Sequence, residues 1–345
     1  MMKCVPVTAL SRIELPNHSG PLDGASGPLR FFRSADFPVR SSAGASHGFG
    51  KFRDSLTFSH CCGLESPRSV EPLPSCLEAA LPTKVPGVSN VLASALAPLD
   101  RLITSSDDFV LQSFDSVFPE ATQSPLPAYV FFGPRGGGDP VRIGLFAGIH
   151  GDEPAGVYAL VRFAELVAAH PRLATGYHLF FYPVCNPSGF TAGRRCAKSG
   201  KDLNREFWSN SEEPEVHFLE QEIRSRNFHG LISLHADDTS DGVYGFVRGA
   251  VLSKGLLEPA LRAAEKILPR NLDQIIDGFP AENGIISRCY EGILTSPPEL
   301  DPLPFEIILE TPHSAPQDQQ QAALLAALQT ILAEYQKLLS FAADL

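Results

Sequence analysis

The residues His150 and Glu153 stand three positions apart, directly after the apolar run 143–149. An imidazole and a carboxylate at this spacing, just beyond the end of a predicted strand, can bind one metal ion from a single turn of backbone. A second apolar run ends at His235, and a third ends at Glu310. Three buried strands that each deliver a polar side chain at their end are typical of an active-site rim.

The candidate metal ligands come from two of these strand ends. A catalytic zinc site takes three protein ligands and a water molecule, with histidine nitrogens and carboxylate oxygens as common donors. His150, Glu153 and His235 supply that set. A second His-x-x-Glu pair, His217 and Glu220, lies inside a predicted amphipathic helix with no strand leading into it. We therefore predict a metal site at the first pair and ordinary helix residues at the second.

Glu310 is the candidate general base. A carboxylate that ends an Ile-Ile-Leu strand is costly to bury, and burial raises its pKa. Such a group can take a proton from a metal-bound water, whose own pKa the metal lowers. The alternative is a strand-end residue that faces solvent.

The loop 202–205, Asp-Leu-Asn-Arg, supplies candidate substrate-binding residues. Asn204 and Arg205 stand side by side and can bind a carboxylate, the arginine through two parallel hydrogen bonds. Upstream, Arg194 and Arg195 offer a further cation that could face a developing oxyanion. Taken alone these are ordinary loop charges, but beside a metal site they indicate the recognition half of a pocket.

The remaining pattern predicts elements that would position these residues. Long apolar runs without clean alternation, interleaved with helical spacing, indicate a sheet covered by helices on both faces. The glycine-rich stretch 133–140 predicts a hairpin turn between two strands. Helices are predicted at 88–102, 153–169, 213–226, 256–267 and 317–341, and strands at 108–118, 128–132, 141–147, 178–184, 230–234 and 305–309.

Composition bounds the domain organisation and the partners. Residues 1–85 are rich in Ser, Pro, Gly and Arg and lack periodicity, so we predict a disordered extension followed by a catalytic domain at 86–345. The net charge of −11 argues against nucleic acid or an anionic membrane as a partner. The seven scattered cysteines predict no disulfide framework, and the first 17 residues do not resemble a secretion signal, so we expect a cytoplasmic protein. The sequence predicts no oligomeric state.

The order of the motifs reveals a family resemblance. His-x-x-Glu is followed by Asn-Pro-x-Gly-Phe at 186–190, an arginine, Asp-Leu-Asn-Arg at 202–205, a strand-end His and a strand-end Glu-Thr-Pro at 310–312. In this order the chain resembles the zinc carboxypeptidase superfamily over roughly residues 125–345. The resemblance implies an α/β fold with a central mixed, mostly parallel β-sheet, helices on both faces, and one zinc ion (Zn2+) at the carboxyl ends of the strands.

The resemblance also implies a role for each matching residue. The three metal ligands match His150, Glu153 and His235, and the catalytic base matches Glu310. The remaining matches are Asn204 and Arg205 for the substrate carboxylate, Arg195 in preference to Arg194 for the scissile carbonyl, and Tyr290, with Tyr244 as its competitor, for the family's mobile tyrosine.

Two enzymatic functions and one binding function follow. The first is a zinc metallocarboxypeptidase or peptide amidase acting on a peptide-like substrate with a free carboxylate, in which Glu310 deprotonates a zinc-bound water. The second is an N-acyl amino-acid deacylase of the succinylglutamate desuccinylase/aspartoacylase type, which shares most of the motifs. The stretches 186–190 and 310–312 favour the peptidase. The third is a binding protein that keeps the pocket without turnover. The acidic residues Asp237, Asp238 and Asp241 are predicted to form a solvated loop.

Overall fold

Side chains along the central strands alternate between two separate apolar cores. Ile143 and Leu145 pack into one core, whereas their neighbour Phe146 packs into the other. Leu179 and Phe180 divide in the same way on the next strand. Because successive side chains of a strand point to opposite faces, a strand that is apolar throughout requires cover on both sides.

The structure, a computed structural model, describes residues 90–111, 126–249, 251–297 and 299–342. The extension predicted for residues 1–85 lies outside these ranges, as does most of the strand predicted at 108–118. Within them the strands are β1 (Phe109–Leu111), β2 (Tyr129–Phe132), β3 (Val141–Ala147), β4 (Tyr177–Tyr182), β5 (Gly230–Asp237), β6 (Tyr244–Gly249), β7 (Ile275–Ile276), β8 (Phe279–Glu282), β9 (Ile285–Ile286) and β10 (Phe305–Pro312).

These strands form one mixed sheet in the order β1-β2-β4-β3-β5-β10-β6-β9-β8-β7. The four central strands, β4, β3, β5 and β10, are parallel to one another. Most of the outer pairings are antiparallel, including β2 with β4 and β10 with β6. The predicted mixed sheet is therefore confirmed, and its parallel part is the centre that carries the candidate site.

The prediction of a hairpin turn at 133–140 is wrong. β2 and β3 flank this stretch, but β4 lies between them and pairs with both. The stretch therefore connects two strands that are not neighbours. The glycines allow close approach instead: a Cβ on Gly133 would lie 1.9 Å from the carbonyl oxygen of Ala174.

Helices cover both faces of the sheet, as predicted. One core contains side chains of α1 (Asn90–Ser105), α2 (Pro154–Ala169), α5 (Leu252–Ala264) and α6 (Gln317–Ala342). The opposite core contains side chains of α4 (Pro214–Arg226). A short helix, α3 (Pro187–Ala192), follows β4 directly. Among the described residues no helix combines the length and hydropathy of a membrane span.

The cysteines differ from the expectation at one position. Cys185 and Cys289 are free. Cys196 is disulfide-bonded, which the scattered spacing of the cysteines does not predict. A cytoplasmic location stays a prediction.

Candidate active site

The candidate site lies where the central parallel strands end. In the register of the sheet, Glu310 on β10 stands directly opposite His235 on β5 and opposite Tyr244 on β6. The loop after β3 carries His150 and Glu153 to the same edge, because β3 also runs parallel to β5. This is the edge at which open α/β sheets bind their ligands.

His150, Glu153 and His235 form a buried group whose potential ligand atoms all lie within 4.8 Å of one another. The two Nδ1 atoms of His150 and His235 are 3.3 Å apart. The Glu153 carboxylate lies between the imidazoles, with Oε1 2.5 Å from Nδ1 of His150 and Oε2 3.0 Å from Nδ1 of His235. The sequence prediction that these residues meet in space is thus confirmed, and the group suggests a metal-ion site.

The three side chains of the group shift one another's pKa values. Burial would raise the pKa of Glu153, but the neighbouring His150 and His235 outweigh it and hold that pKa well below its usual range. Burial lowers the pKa of His235, which favours its neutral imidazole. Burial acts in the same direction on His150, but the neighbouring Glu153 and Asp202 outweigh it and raise the pKa of His150. Glu153 precedes α2 without capping it, because its carboxylate faces the imidazoles instead.

Asp202 is a functional candidate that the sequence analysis did not single out. Its Oδ1 lies 3.2 Å from Nε2 of His150, on the side of the ring away from Glu153. Its Oδ2 accepts a hydrogen bond of 3.0 Å from Nε of Arg195. A carboxylate behind a ligating histidine fixes the ring and its tautomer. The available signal was its position at the head of the Asp-Leu-Asn-Arg motif.

Glu310 lies in the cavity beside this group. Burial raises the pKa of Glu310 well above its usual value, and the negative charges of Glu153, Asp237 and Asp277 raise it further. A carboxylate with a raised pKa binds a proton more readily than a free carboxylate does, as a group that takes a proton from a metal-bound water must.

Arg195 faces the cavity, whereas Arg194 is not among its lining residues. The guanidinium of Arg195 pairs with Asp202 at 3.0 Å and lies 3.5 Å from Oε1 of Glu153. The preference for Arg195 therefore agrees with the geometry, and its role stays a prediction.

Asn204 and Arg205 also line the cavity. The Asn204 side chain is buried, and its Oδ1 accepts a hydrogen bond of 2.9 Å from the backbone of Leu294, so its amide nitrogen is the group left for a ligand. Arg205 forms no ion pair with any described residue, unlike Arg195. An arginine of this kind is suited to bind an incoming carboxylate.

Comparison with known proteins agrees with this architecture. Residues 141–246, less than half of the chain, match the model of the succinylglutamate desuccinylase/aspartoacylase catalytic domain. A candidate metallopeptidase from Shewanella amazonensis SB2B is 22% identical with a TM-score of 0.55, over 71% of this chain and 91% of that chain. The chain has the zinc carboxypeptidase-like fold.

Two further structures with the zinc carboxypeptidase-like fold are metallo-carboxypeptidases. The Burkholderia cenocepacia protein is 16% identical with a TM-score of 0.53, over 72% of this chain and 69% of that chain. The Pseudomonas aeruginosa protein was solved in complex with (2-guanidinoethylmercapto)succinic acid. It is 18% identical with a TM-score of 0.50, over 70% of this chain and 68% of that chain. No curated protein matches the chain.

Both candidate tyrosines line the cavity. Tyr244 is buried, and its hydroxyl donates a hydrogen bond of 2.9 Å to Asp237. Tyr290 is 37% exposed, and its hydroxyl lies 2.9 Å from Oδ1 of Asp277. Asp277 belongs to the turn between β7 and β8, elements that the sequence analysis did not predict.

The cavity has a volume of about 640 Å3, and its lining includes the apolar residues Phe246, Ile293 and Ile308. Asp237 and Asp238 line it, so only Asp241 of the predicted acidic loop lies outside its lining. His217 and Glu220 lie outside the metal-binding group, by which we mean the candidate ligands His150, Glu153 and His235. Glu220 accepts a hydrogen bond from the backbone nitrogen of Trp208. The interpretation of the second His-x-x-Glu pair as ordinary helix residues stays a prediction.

The loop that carries His150 and Glu153 packs tightly against α3. A Cβ on Gly151 would lie 2.0 Å from the carbonyl carbon of Gly189 and 2.1 Å from the nitrogen of Phe190. Asn186, fully buried, holds this contact together, because its side chain donates to the carbonyls of Ile149 and Arg195 and accepts from the nitrogen of Gly189. The Asn-Pro-Ser-Gly sequence therefore serves to seat the His150–Glu153 loop.

We predict that Gly151→Ala abolishes metal binding. The added methyl group meets backbone, so the loop must shift, and overpacking of this kind costs about 1–3 kcal/mol of stability. Gly255→Ala is the matched control, because a Cβ there meets nothing within 4 Å on the exposed side of α5. Calorimetric titration with zinc and thermal unfolding of both variants check this. Tight zinc binding by Gly151→Ala would contradict the packing argument.

Proposed function

We propose that the protein is a zinc-dependent hydrolase that cleaves an amide or peptide bond next to a free carboxylate, as a metallocarboxypeptidase or peptide amidase does. The observation that carries the proposal is the arrangement within one cavity: the buried His150–Glu153–His235 group, the base candidate Glu310, and the cation of Arg205, which forms no ion pair with a described residue. A metal site, a proton acceptor and a carboxylate receptor are the parts that such a hydrolysis needs.

Two imidazole nitrogens and one carboxylate are a donor set of catalytic zinc sites. A zinc ion held by these residues would polarise the substrate carbonyl and lower the pKa of a water molecule. Asp202 would keep the His150 ring in the orientation that presents Nδ1, since it contacts the opposite nitrogen.

Arg205 and Asn204 would fix the substrate by its free carboxylate. Arg195 lies closer to the metal-binding group, 3.5 Å from Glu153, so its positive charge is placed to stabilise negative charge on the carbonyl oxygen of the scissile bond. Arg205 would therefore bind the substrate carboxylate, and Arg195 would stabilise the carbonyl oxygen, because Arg195 is the arginine that contacts Glu153.

Glu310 would move the proton. It accepts a proton from the attacking water as the oxygen bonds to the carbonyl carbon, and it returns that proton to the leaving nitrogen as the carbon–nitrogen bond breaks. Its raised pKa suits both steps, because the carboxyl group must bind and release a proton in each cycle.

The alternative is an N-acyl amino-acid deacylase, which the family-model match at 141–246 favours. The charge of the cavity argues for the peptidase. N-succinyl and N-acetyl dicarboxylic substrates bring two or more negative charges, which a strongly acidic lining repels. Apart from the cations of Arg195 and Arg205, and from Glu310, whose raised pKa favours the neutral form, the lining carries six carboxyl groups: Asp152, Glu153, Asp202, Asp237, Asp238 and Asp277.

The test is a hydrolysis panel with the zinc-loaded protein. It compares peptides with a free carboxyl terminus, the same peptides with an amidated terminus, and N-succinyl- and N-acetyl-amino acids. We expect turnover of the free peptides, about a hundredfold loss on amidation because a charge-assisted bidentate pair is lost, and no turnover with a chelator. Preferred cleavage of the acyl amino acids would establish the deacylase. Metal retention without hydrolysis of any substrate would indicate a binding protein.

A further inference from the structure

Arg205 lies over the face of an aromatic ring. Its guanidinium carbon is 4.4 Å from the centre of the Tyr290 ring. One of its terminal nitrogens donates a hydrogen bond of 2.8 Å to the backbone of Asn204. Stacking attracts the cation to the ring face and leaves the in-plane N–H groups free for a ligand.

Tyr290 is itself held in place from two sides. Its hydroxyl lies 2.9 Å from Oδ1 of Asp277, to which it donates, and its ring packs edge-on against Phe279 at 4.8 Å. Asp277 has a positive φ of 50° and is followed by Gly278, so it occupies a tight turn between β7 and β8. The turn thus presents its carboxylate to the tyrosine.

The backbone of Arg205 lies close to Gly292, two positions after Tyr290. A Cβ on Gly292 would lie 2.3 Å from the carbonyl oxygen of Arg205, and Gly292 has a positive φ of 72°. One short segment therefore contacts the arginine at both its backbone and its guanidinium.

We propose that Tyr290 is a positioning residue: its ring holds the Arg205 guanidinium in the plane that receives the substrate carboxylate, and Asp277 holds the ring. This rests on the proposed function, because it assumes that Arg205 binds a carboxylate. It differs from the mobile catalytic tyrosine that the family resemblance implies. The hydroxyl of Tyr290 already has an acceptor in Asp277, and its ring already has the arginine as a partner.

The contact between Arg205 and the Tyr290 ring can be measured without an enzymatic assay. In an NMR spectrum the ring current of Tyr290 shifts the side-chain protons of Arg205 upfield. We expect this shift to persist in Tyr290→Phe, which keeps the ring, and to vanish in Tyr290→Leu. Arg224, which stacks on Trp208 at 4.9 Å, supplies an internal control whose signals stay unchanged in both variants.

The functional consequence is measured with N-benzoylglycine and its primary amide, whose aromatic group suits the apolar residues of the cavity lining. Tyr290→Leu should weaken binding of N-benzoylglycine by about tenfold, within the range of a partly desolvated cation–π contact. Tyr290→Phe should change the affinity for N-benzoylglycine by less than about threefold. The affinity of Asp277→Ala should lie between those of Tyr290→Leu and Tyr290→Phe. The primary amide should bind the wild type and each of these variants with the same affinity. The double variant Arg205→Ala, Tyr290→Leu should bind N-benzoylglycine with the same affinity as Arg205→Ala alone.

Turnover separates this role from direct catalysis. For a peptide with a free carboxylate, Tyr290→Leu should raise KM and leave kcat within about threefold. A large loss of kcat in Tyr290→Phe with the Arg205 shift intact would overturn the proposal, because the hydroxyl would then act at the reacting atoms. Equal binding of N-benzoylglycine by wild type and Tyr290→Leu would also overturn it. If the wild type bound the acid no better than the amide, the carboxylate-binding part of the proposed function would itself fail.

Discussion

Replacing His235 by alanine should remove zinc binding and reduce hydrolysis to background. The wild-type protein should bind one zinc ion per chain, because His150, Glu153 and His235 form the metal-binding group found among the described residues. Loss of a residue behind a ligand typically costs 10–100-fold in affinity, and loss of a ligand itself should cost more. The measurement is calorimetric titration of zinc into protein that has been freed of metal by a chelator, followed by the hydrolysis assay.

The chain provides a control for this experiment in its second His-x-x-Glu pair. His217 is exposed on α4 and lies outside the metal-binding group. His217→Ala should therefore bind one zinc ion with unchanged affinity. Unchanged affinity in His235→Ala would refute the three-ligand site, whatever the activity.

Replacing Glu310 by glutamine should abolish catalysis and stabilise the fold at neutral pH. Loss of a general base costs about 10²–10⁴-fold in rate, and here the same group also serves as the acid. Because the folded protein raises the pKa of Glu310, it binds this proton more tightly than the unfolded chain does. The contribution of Glu310 to stability therefore falls as pH rises from its unfolded pKa to its folded pKa. A glutamine at position 310 does not titrate, so its contribution to stability does not change with pH.

The measurement is thermal unfolding of metal-free protein at pH 4 and pH 8, with the hydrolysis rate measured in parallel. The Tm of Glu310→Gln should exceed that of the wild type at pH 8, and the gap should narrow at pH 4. Glu165→Gln on the exposed side of α2 should change neither quantity. A lower Tm at pH 8, or a surviving rate, would show that Glu310 is not the buried base.

The metal-binding group could be predicted from sequence because its signals are local. A His-x-x-Glu pair after an apolar run, and a His at the end of another, mark strand ends, and parallel strand ends share an edge of the sheet. The pairing of His235 with Glu310 across β5 and β10 follows from the same rule.

The other side of the cavity could not be predicted because it depends on short strands with weak patterns. β7 and β9 have two residues each, and β8 reads Phe-Pro-Ala-Glu. Their place at the edge of the sheet depends on the long-range pairing of β9 with β6, to which β8 and then β7 are added by local pairing. Asp277 therefore gave no local signal of its approach to Tyr290. The predicted hairpin at 133–140 failed for a similar reason, since β4, some forty residues later, inserts between the two strands.

The register between β5 and β10 limits where the chain can change length. Because successive side chains point to opposite faces, deleting one residue from β10 would turn Glu310 away from His235 and into the opposite apolar core. Insertions in the connecting loops leave this pairing intact. Natural variation in length should consequently accumulate between the strands, which would change the rim of the cavity while the relative placement of His235 and Glu310 stays the same.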